Sequence, residues 1–201
     1  MLALDFWFDF ASTYSYPAAM RIGRLAATAA VTVRYRPFLL GPIFKAQGWD
    51  TSPFNVYPAK GRAMWRDLER VCEDEGLPFR RPEPFPQNSL LPARVAIYGL
   101  TQDPVRDWGE AFCTEVFRLQ FCDGGRIDNP EALASILARL GVDAKAALGA
   151  AQSNANKLRL RDETAEAQRL GIFGAPSFVT ASGELFWGND RLEQALRWAE
   201  R

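Results

Sequence analysis

The stretch Asp9-Phe10-Ala11-Ser12-Thr13-Tyr14-Ser15-Tyr16 leaves an apolar run and enters a helical pattern. Ser12 therefore falls where unpaired backbone N–H groups and the helix dipole favour an anion. Serine is also a preferred helix cap, so Ser12 or Ser15 can equally be read as nothing more than that. Pro17 leaves two frames open, because its missing N–H is harmless only in a first turn. Either Ser15 caps the helix with Pro17 just inside, or the helix begins near Ser12 and bends at Pro17. Both frames place Ser12 at the positive end. The 201 residues include no histidine, which removes Ser-His-Asp triads, histidine bases and histidine metal ligands together. Any chemistry must borrow its proton handling from elsewhere.

Two further segments carry polar groups to strand ends. Gly174-Ala175-Pro176-Ser177-Phe178 sets a proline directly before a strand pattern. That proline either simply starts the strand or follows a cis bond that exposes the preceding N–H and C=O. Phe186-Trp187-Gly188-Asn189-Asp190-Arg191-Leu192 passes from a strand end to a helix start. Its Asn-Asp pair can cap the helix or grip the charged end of a ligand. Cys72, Cys113 and Cys122 are odd in number and lack Cys-x-x-Cys spacing, so neither a disulfide framework nor a zinc knuckle is written here. They read as small buried hydrophobes in helices.

The elements that must position these groups follow from periodicity. Leu2, Leu4, Phe6, Phe8 and Phe10 alternate, with partly apolar residues between them, as in a central strand covered on both faces. A helical stripe over 16–29 and an alternating strand over 31–38 complete a β-α-β unit. Strand signals then stop. Helices are predicted over 62–75, 92–100, 108–121, from the Asn129-Pro130 cap to Gly141, from Asp143, and over 154–170 before Gly171. A hairpin over 177–180 and 185–187 follows, then a last helix with Asp190 as cap and Glu193 at its third position, a capping box. The pattern predicts an α/β fold in which a helical segment, 41–170, interrupts a thioredoxin-like domain made of 1–40 and 171–201.

Taken together, FDFASTYSY, Lys60 with the following Met64-Trp65-Arg66-Asp67-Leu68-Glu69-Arg70, the stretch Phe85-Pro86-Gln87-Asn88-Ser89 running on to Ala93-Arg94, the Gly174-Ala175-Pro176-Ser177 loop and WGNDRL resemble the 2-hydroxychromene-2-carboxylate isomerase family. That group is related to DsbA-like oxidoreductases and kappa-class glutathione transferases, and the resemblance spans essentially the whole chain. It implies that Ser12 faces the sulfur of glutathione, in the place of the first cysteine of a DsbA-like site, with Ser15 in that of the second, so no disulfide chemistry is possible there. It implies that Ala175, before a cis Pro176, pairs with the cysteinyl part of glutathione, and that Asn189 and Asp190 hold the γ-glutamyl end. Lys60 matches the basic residue for the glycyl carboxylate, or is a solvated lysine at a helix start, and Asn88 lines the pocket. Thr13 departs from the family, whose members commonly have Pro there.

The implied activity is glutathione-dependent interconversion of 2-hydroxychromene-2-carboxylate and its open benzylidenepyruvate, in a homodimer that takes a small aromatic substrate, and a cytoplasmic location is expected by default from the opening residues. Two other classes stay open: a kappa-type glutathione transferase or peroxidase, and a non-catalytic glutathione- or peptide-binding protein. Trp49, Phe54, Tyr57 and Trp65 could face either the core or that substrate. Composition narrows the partners. Lys plus Arg and Asp plus Glu both number 24, so no net positive field draws nucleic acid or anionic lipid. Asp5 and Asp9 inside the opening apolar run argue against a signal peptide and a membrane span.

Overall fold

Leu4, Phe6, Trp7 and Phe8 have no exposed surface, so the first strand is covered on both faces, as its near-continuous apolar run requires. The structure, a computed structural model, describes residues 2–101 and 108–200. In it, β1 (Ala3–Phe8) lies inside a four-stranded sheet of order β2-β1-β3-β4, with β2 at Thr32–Pro37, β3 at Ser177–Thr180 and β4 at Leu185–Trp187. β1 runs parallel to β2 and antiparallel to β3, and β3 and β4 form the predicted hairpin. Helix α1 (Ser15–Thr28) makes the crossover from β1 to β2.

Between β2 and β3 the chain is helical: α2 (Leu40–Ala46), α3 (Pro53–Val56), α4 (Pro58–Asp74), α5 (Leu90–Leu100), α6 (Gly109–Phe121), α7 (Pro130–Arg139), α8 (Ala144–Ala151) and α9 (Asn154–Arg169). α10 (Leu192–Ala199) ends the fold. The predicted caps are present: the Asn129 side chain accepts from the Glu131 N–H and that of Asp143 from the Ala146 N–H. Boundaries move by a few residues where flanking prolines start a helix early, as at Pro58.

The capping box at the last helix is not formed. Asn189–Arg191 make a 3-10 turn, α10 begins after Arg191 without a side-chain cap, and Glu193 turns away to Arg21 of α1. A guanidinium this deeply buried needs carboxylate partners more than an exposed helix start needs a reciprocal cap.

Two apolar clusters sandwich the sheet. On one face Phe6 stacks on Phe8 and Phe178 with ring centroids 5.0 and 5.6 Å apart, and Phe8 meets Phe10 and Phe117 at 5.3 and 5.8 Å. Phe117 and Phe121 belong to α6, so the sheet and the helical segment share one continuous core. The other face is smaller, with Trp7, Phe38, Ile43, Ala167, Ile172 and Val179 beneath α2 and α9. Phe8 joins sheet to helices, so Phe8→Ala should destabilise the whole molecule in one transition by about 3–5 kcal/mol. Urea unfolding checks this, and a loss below about 1 kcal/mol would mean that the two parts do not share a core.

Candidate active site

β1 ends at Phe8 and hands the chain to a polar loop that cannot stay in the apolar interior unless its backbone groups are paired. Asp9 pairs them. Its carboxylate is buried and accepts the Ala11 N–H at 2.9 Å and, from the other side, the Leu40 N–H at 2.7 Å. Ser89, at the start of α5, adds a side-chain hydrogen bond. Burial nevertheless raises the Asp9 pKa, outweighing these bonds, which lower it.

The loop so held delivers Ser12. Its Oγ accepts the Ser15 N–H at 3.3 Å and donates to the Ala175 carbonyl at 2.9 Å. α1 begins at Ser15 itself with Pro17 in its first turn, and Tyr14, the flanking residue, makes no side-chain cap. The oxygen at the helix start is therefore supplied by Ser12, in a frame between the two that Pro17 left open. Ser15 is fully buried, and its hydroxyl has no partner among the described residues. Thr13, the departure from the family pattern, donates its hydroxyl to Met64 Sδ at 3.2 Å and so links the loop to α4.

Ser12 and Ala175 open onto a cleft of about 1050 Å³. Lys60, Asn88, Asn189 and Asp190 line the same cleft, so six of the seven residues singled out from the sequence converge on it. Pro176 does not line it: its peptide bond to Ala175 is cis, and it stands behind Ala175 at the start of β3. Lys60 Nζ lies 4.7 Å from the centre of the Tyr57 ring, near the start of α4. Asn88 Oδ1 is occupied by the Leu90 N–H at 2.9 Å, which leaves its amide end for the cleft. Asp190 is open to solvent, its side chain 73% exposed.

The four aromatics of uncertain facing divide. Trp49 and Phe54 line the cleft, together with Phe44 and Phe85. Trp65 instead packs against Phe85 with ring centroids 4.7 Å apart and carries the Arg81 guanidinium over its face, and Tyr57 is half-exposed outside the lining. Among the lining residues that sequence reasoning missed are Asp9, Tyr14, and the rim pair Phe173 and Trp187, whose centroids are 5.0 Å apart. The signal for Asp9 was its position, a carboxylate inside a buried run. Tyr14 donates to Asp67 Oδ2 at 2.7 Å, and burial and that carboxylate push its pKa up.

Cys72 and Cys113 are buried helix residues as expected. Cys122 is not: it follows α6, is half-buried and sits 3.1 Å from the Tyr16 hydroxyl. Burial raises all three thiols, Cys72 to about 12 and Cys113 well above its ordinary value. Among the described residues no group of three His, Cys, Asp or Glu side chains could hold a metal ion, and no helix is long and apolar enough to cross a membrane.

A sheet ending in a serine-bearing helix start opposite a cis-proline loop defines a thioredoxin-fold protein without a redox cysteine pair. The family profile of the DSBA-like thioredoxin domain matches residues 3–197. A 2-hydroxychromene-2-carboxylate isomerase of Sphingobium xenophagum is 31% identical over 94% of both chains. The solved structure of a 2-hydroxychromene-2-carboxylate isomerase superposes with a TM-score of 0.82 at 29% identity, covering 98% of this chain and 94% of that one. Glutathione S-transferase kappa 1 of Caenorhabditis elegans is 36% identical over 83 residues, 41% of this chain and 36% of that one. The chain belongs to the 2-hydroxychromene-2-carboxylate isomerase family of DsbA-like thioredoxin-fold proteins.

With every thiol raised, little thiolate exists at neutral pH, and the thiolate is the reactive form. Native protein at pH 7.5 should therefore react slowly with iodoacetamide and should not accelerate insulin reduction by dithiothreitol. Rapid stoichiometric labelling, or insulin reduction above the uncatalysed rate, would contradict the site as described.

Proposed function

We propose that the cleft binds glutathione and that the protein is a glutathione-dependent isomerase acting on a small aromatic hemiketal of the 2-hydroxychromene-2-carboxylate kind. The observation that carries this reading is the bond from Ser12 to the Ala175 carbonyl at the N-terminal end of α1. It brings a hydroxyl, a helix start and the backbone before a cis proline to one point of the cleft.

The hydroxyl has a single proton to donate. When a thiolate takes that proton as a hydrogen bond, the Ala175 carbonyl is released to accept an N–H from the ligand backbone, as an added strand would. The helix dipole and hydroxyl favour the thiolate over the thiol. The thiolate, supplied by glutathione, adds to a conjugated carbon of the open form, moving the double-bond electrons toward the carbonyl. Rotation about the resulting single bond follows, the electrons return, and the carbon–sulfur bond breaks, so glutathione leaves unchanged. Trp49, Phe54, Phe44 and Phe85 offer the aromatic wall for the substrate ring. Lys60 serves the glycyl carboxylate, and Asn189 with Asp190 the γ-glutamyl end. Such a protein works where glutathione is reduced, which suits a cytoplasmic location and three free cysteines.

A kappa-type transferase is the second reading, favoured by the partial match to the kappa 1 enzyme. Assaying the hemiketal and an aryl halide side by side with glutathione separates the two. Millimolar glutathione should raise the thermal midpoint by mass action; no shift with folded protein would sink the glutathione reading. Ser12→Ala should keep the fold and much of the affinity. A hydrogen bond to a charged group is worth roughly 1.5–3 kcal/mol, so the bound thiol pKa should rise by about one to two units and turnover fall about 10- to 100-fold. Thiolate absorbance titrated against pH for both proteins checks this, and identical curves with undiminished turnover would reduce Ser12 to a helix cap.

A further inference from the structure

Arg21 lies on α1 with its side chain only 8% exposed, and it does not line the cleft. Its Nη1 donates to Asn189 Oδ1 at 3.1 Å, and its Nη2 pairs with Glu75 at 2.9 Å and with Glu193. One guanidinium thus ties together α1, the end of α4, the 3-10 turn and α10. The two glutamates supply the opposite charge that a buried guanidinium requires.

The consequence reaches the cleft through Asn189. An amide offers an acceptor at one end and donors at the other, and arginine can only donate. The end of Asn189 that faces Arg21 is therefore the oxygen, and the N–H₂ end is turned away. That nitrogen has no partner among the described residues and is not sealed in the interior, while Asn189 lines the cleft. An Asn189 side chain that reaches the cleft therefore offers it a donor and not an acceptor. The next residue, Asp190, presents a carboxylate to the same cleft. Gly188 leaves room for that carboxylate: its φ is 109°, and a β-carbon there would come within 2.5 Å of Asp190 Oδ1.

We infer that Arg21 is a positioning residue which locks Asn189 as a hydrogen-bond donor, so that Asn189 and Asp190 together read the carboxylate and the ammonium of an α-amino-acid end. The inference rests on the glutathione reading, whose γ-glutamyl group carries that pair of charges on one carbon. Lysine is also a donor only, but its ammonium has no fork to hold an amide and two carboxylates at once, and the carboxylates would draw it from the amide.

Calorimetric binding of glutathione and of γ-aminobutyryl-cysteinylglycine, which lacks only the α-carboxylate, tests it. Wild type should prefer glutathione by about 10-fold or more, the worth of a hydrogen bond to a charged group. In Arg21→Lys the amide is free to turn, so glutathione should weaken and the preference between the two ligands collapse. Equal weakening of both ligands would overturn the proposal and leave Arg21 a structural residue. Should Arg21→Lys not fold, Asn189→Asp decides: Arg21 keeps one oxygen, the other faces the cleft, and glutathione should weaken at least 10-fold while the decarboxylated analogue does not. Undiminished glutathione binding by Asn189→Asp would also overturn it. Wild type binding neither ligand would refute the glutathione reading itself, and this proposal with it.

Discussion

A buried carboxylate that takes hydrogen bonds from three segments holds the cleft in shape. Asp9 sits where the central strand runs out of apolar residues, and it takes the N–H of Ala11 on its own loop and the N–H of Leu40 at the start of α2. Ser89 adds the start of α5. These three segments wall the cleft in which Ser12 stands. Without that carboxylate two backbone donors would be left unpaired in the interior, each costing on the order of 1–3 kcal/mol, and the loop would have no reason to keep this course.

What Asp9 does for the loop, the aromatic core does for the elements around it. Phe8 and Phe10 pack on Phe117 of α6, so the strand that carries the serine loop and a helix from the intervening segment are fixed against each other by tightly packed rings. The cleft itself opens toward α2, α3 and α4, where Phe44, Trp49 and Phe54 stand at the edge of the core rather than within it. Such an arrangement gives a rigid polar end, built on strand termini, beside an apolar wall of helices and loops that can differ between relatives without disturbing the sheet.

The absence of histidine shapes the chemistry as much as any residue present. Among the described residues no side-chain base bonds to the Ser12 hydroxyl; its hydrogen-bond partners are a backbone N–H and a backbone carbonyl. Such a hydroxyl orients and stabilises, and a nucleophile must come from outside the chain. The cysteines do not fill the gap, since burial holds each of them protonated and none lines the cleft.

The sequence by itself determined the β-α-β and hairpin frame, the long helices between, the doubly covered strand and the serine at a helix start, because local periodicity and capping chemistry write these directly into neighbouring residues, whereas the short α2 and α3 left no such signal and the other lining residues came from the family resemblance. It misread Asp190 and Glu193 as a helix cap and box, since that spacing is a local signal while the stronger claim on Glu193 comes from Arg21, 172 positions away. Asp9 was visible only as a charge in an apolar run, and whether Trp49 and Trp65 face ligand or core was undecided. Tertiary structure alone settled these points. A buried charge must find its partners wherever the fold brings them, and the facing of an aromatic ring depends on what packs behind it, neither of which is recorded in sequence spacing.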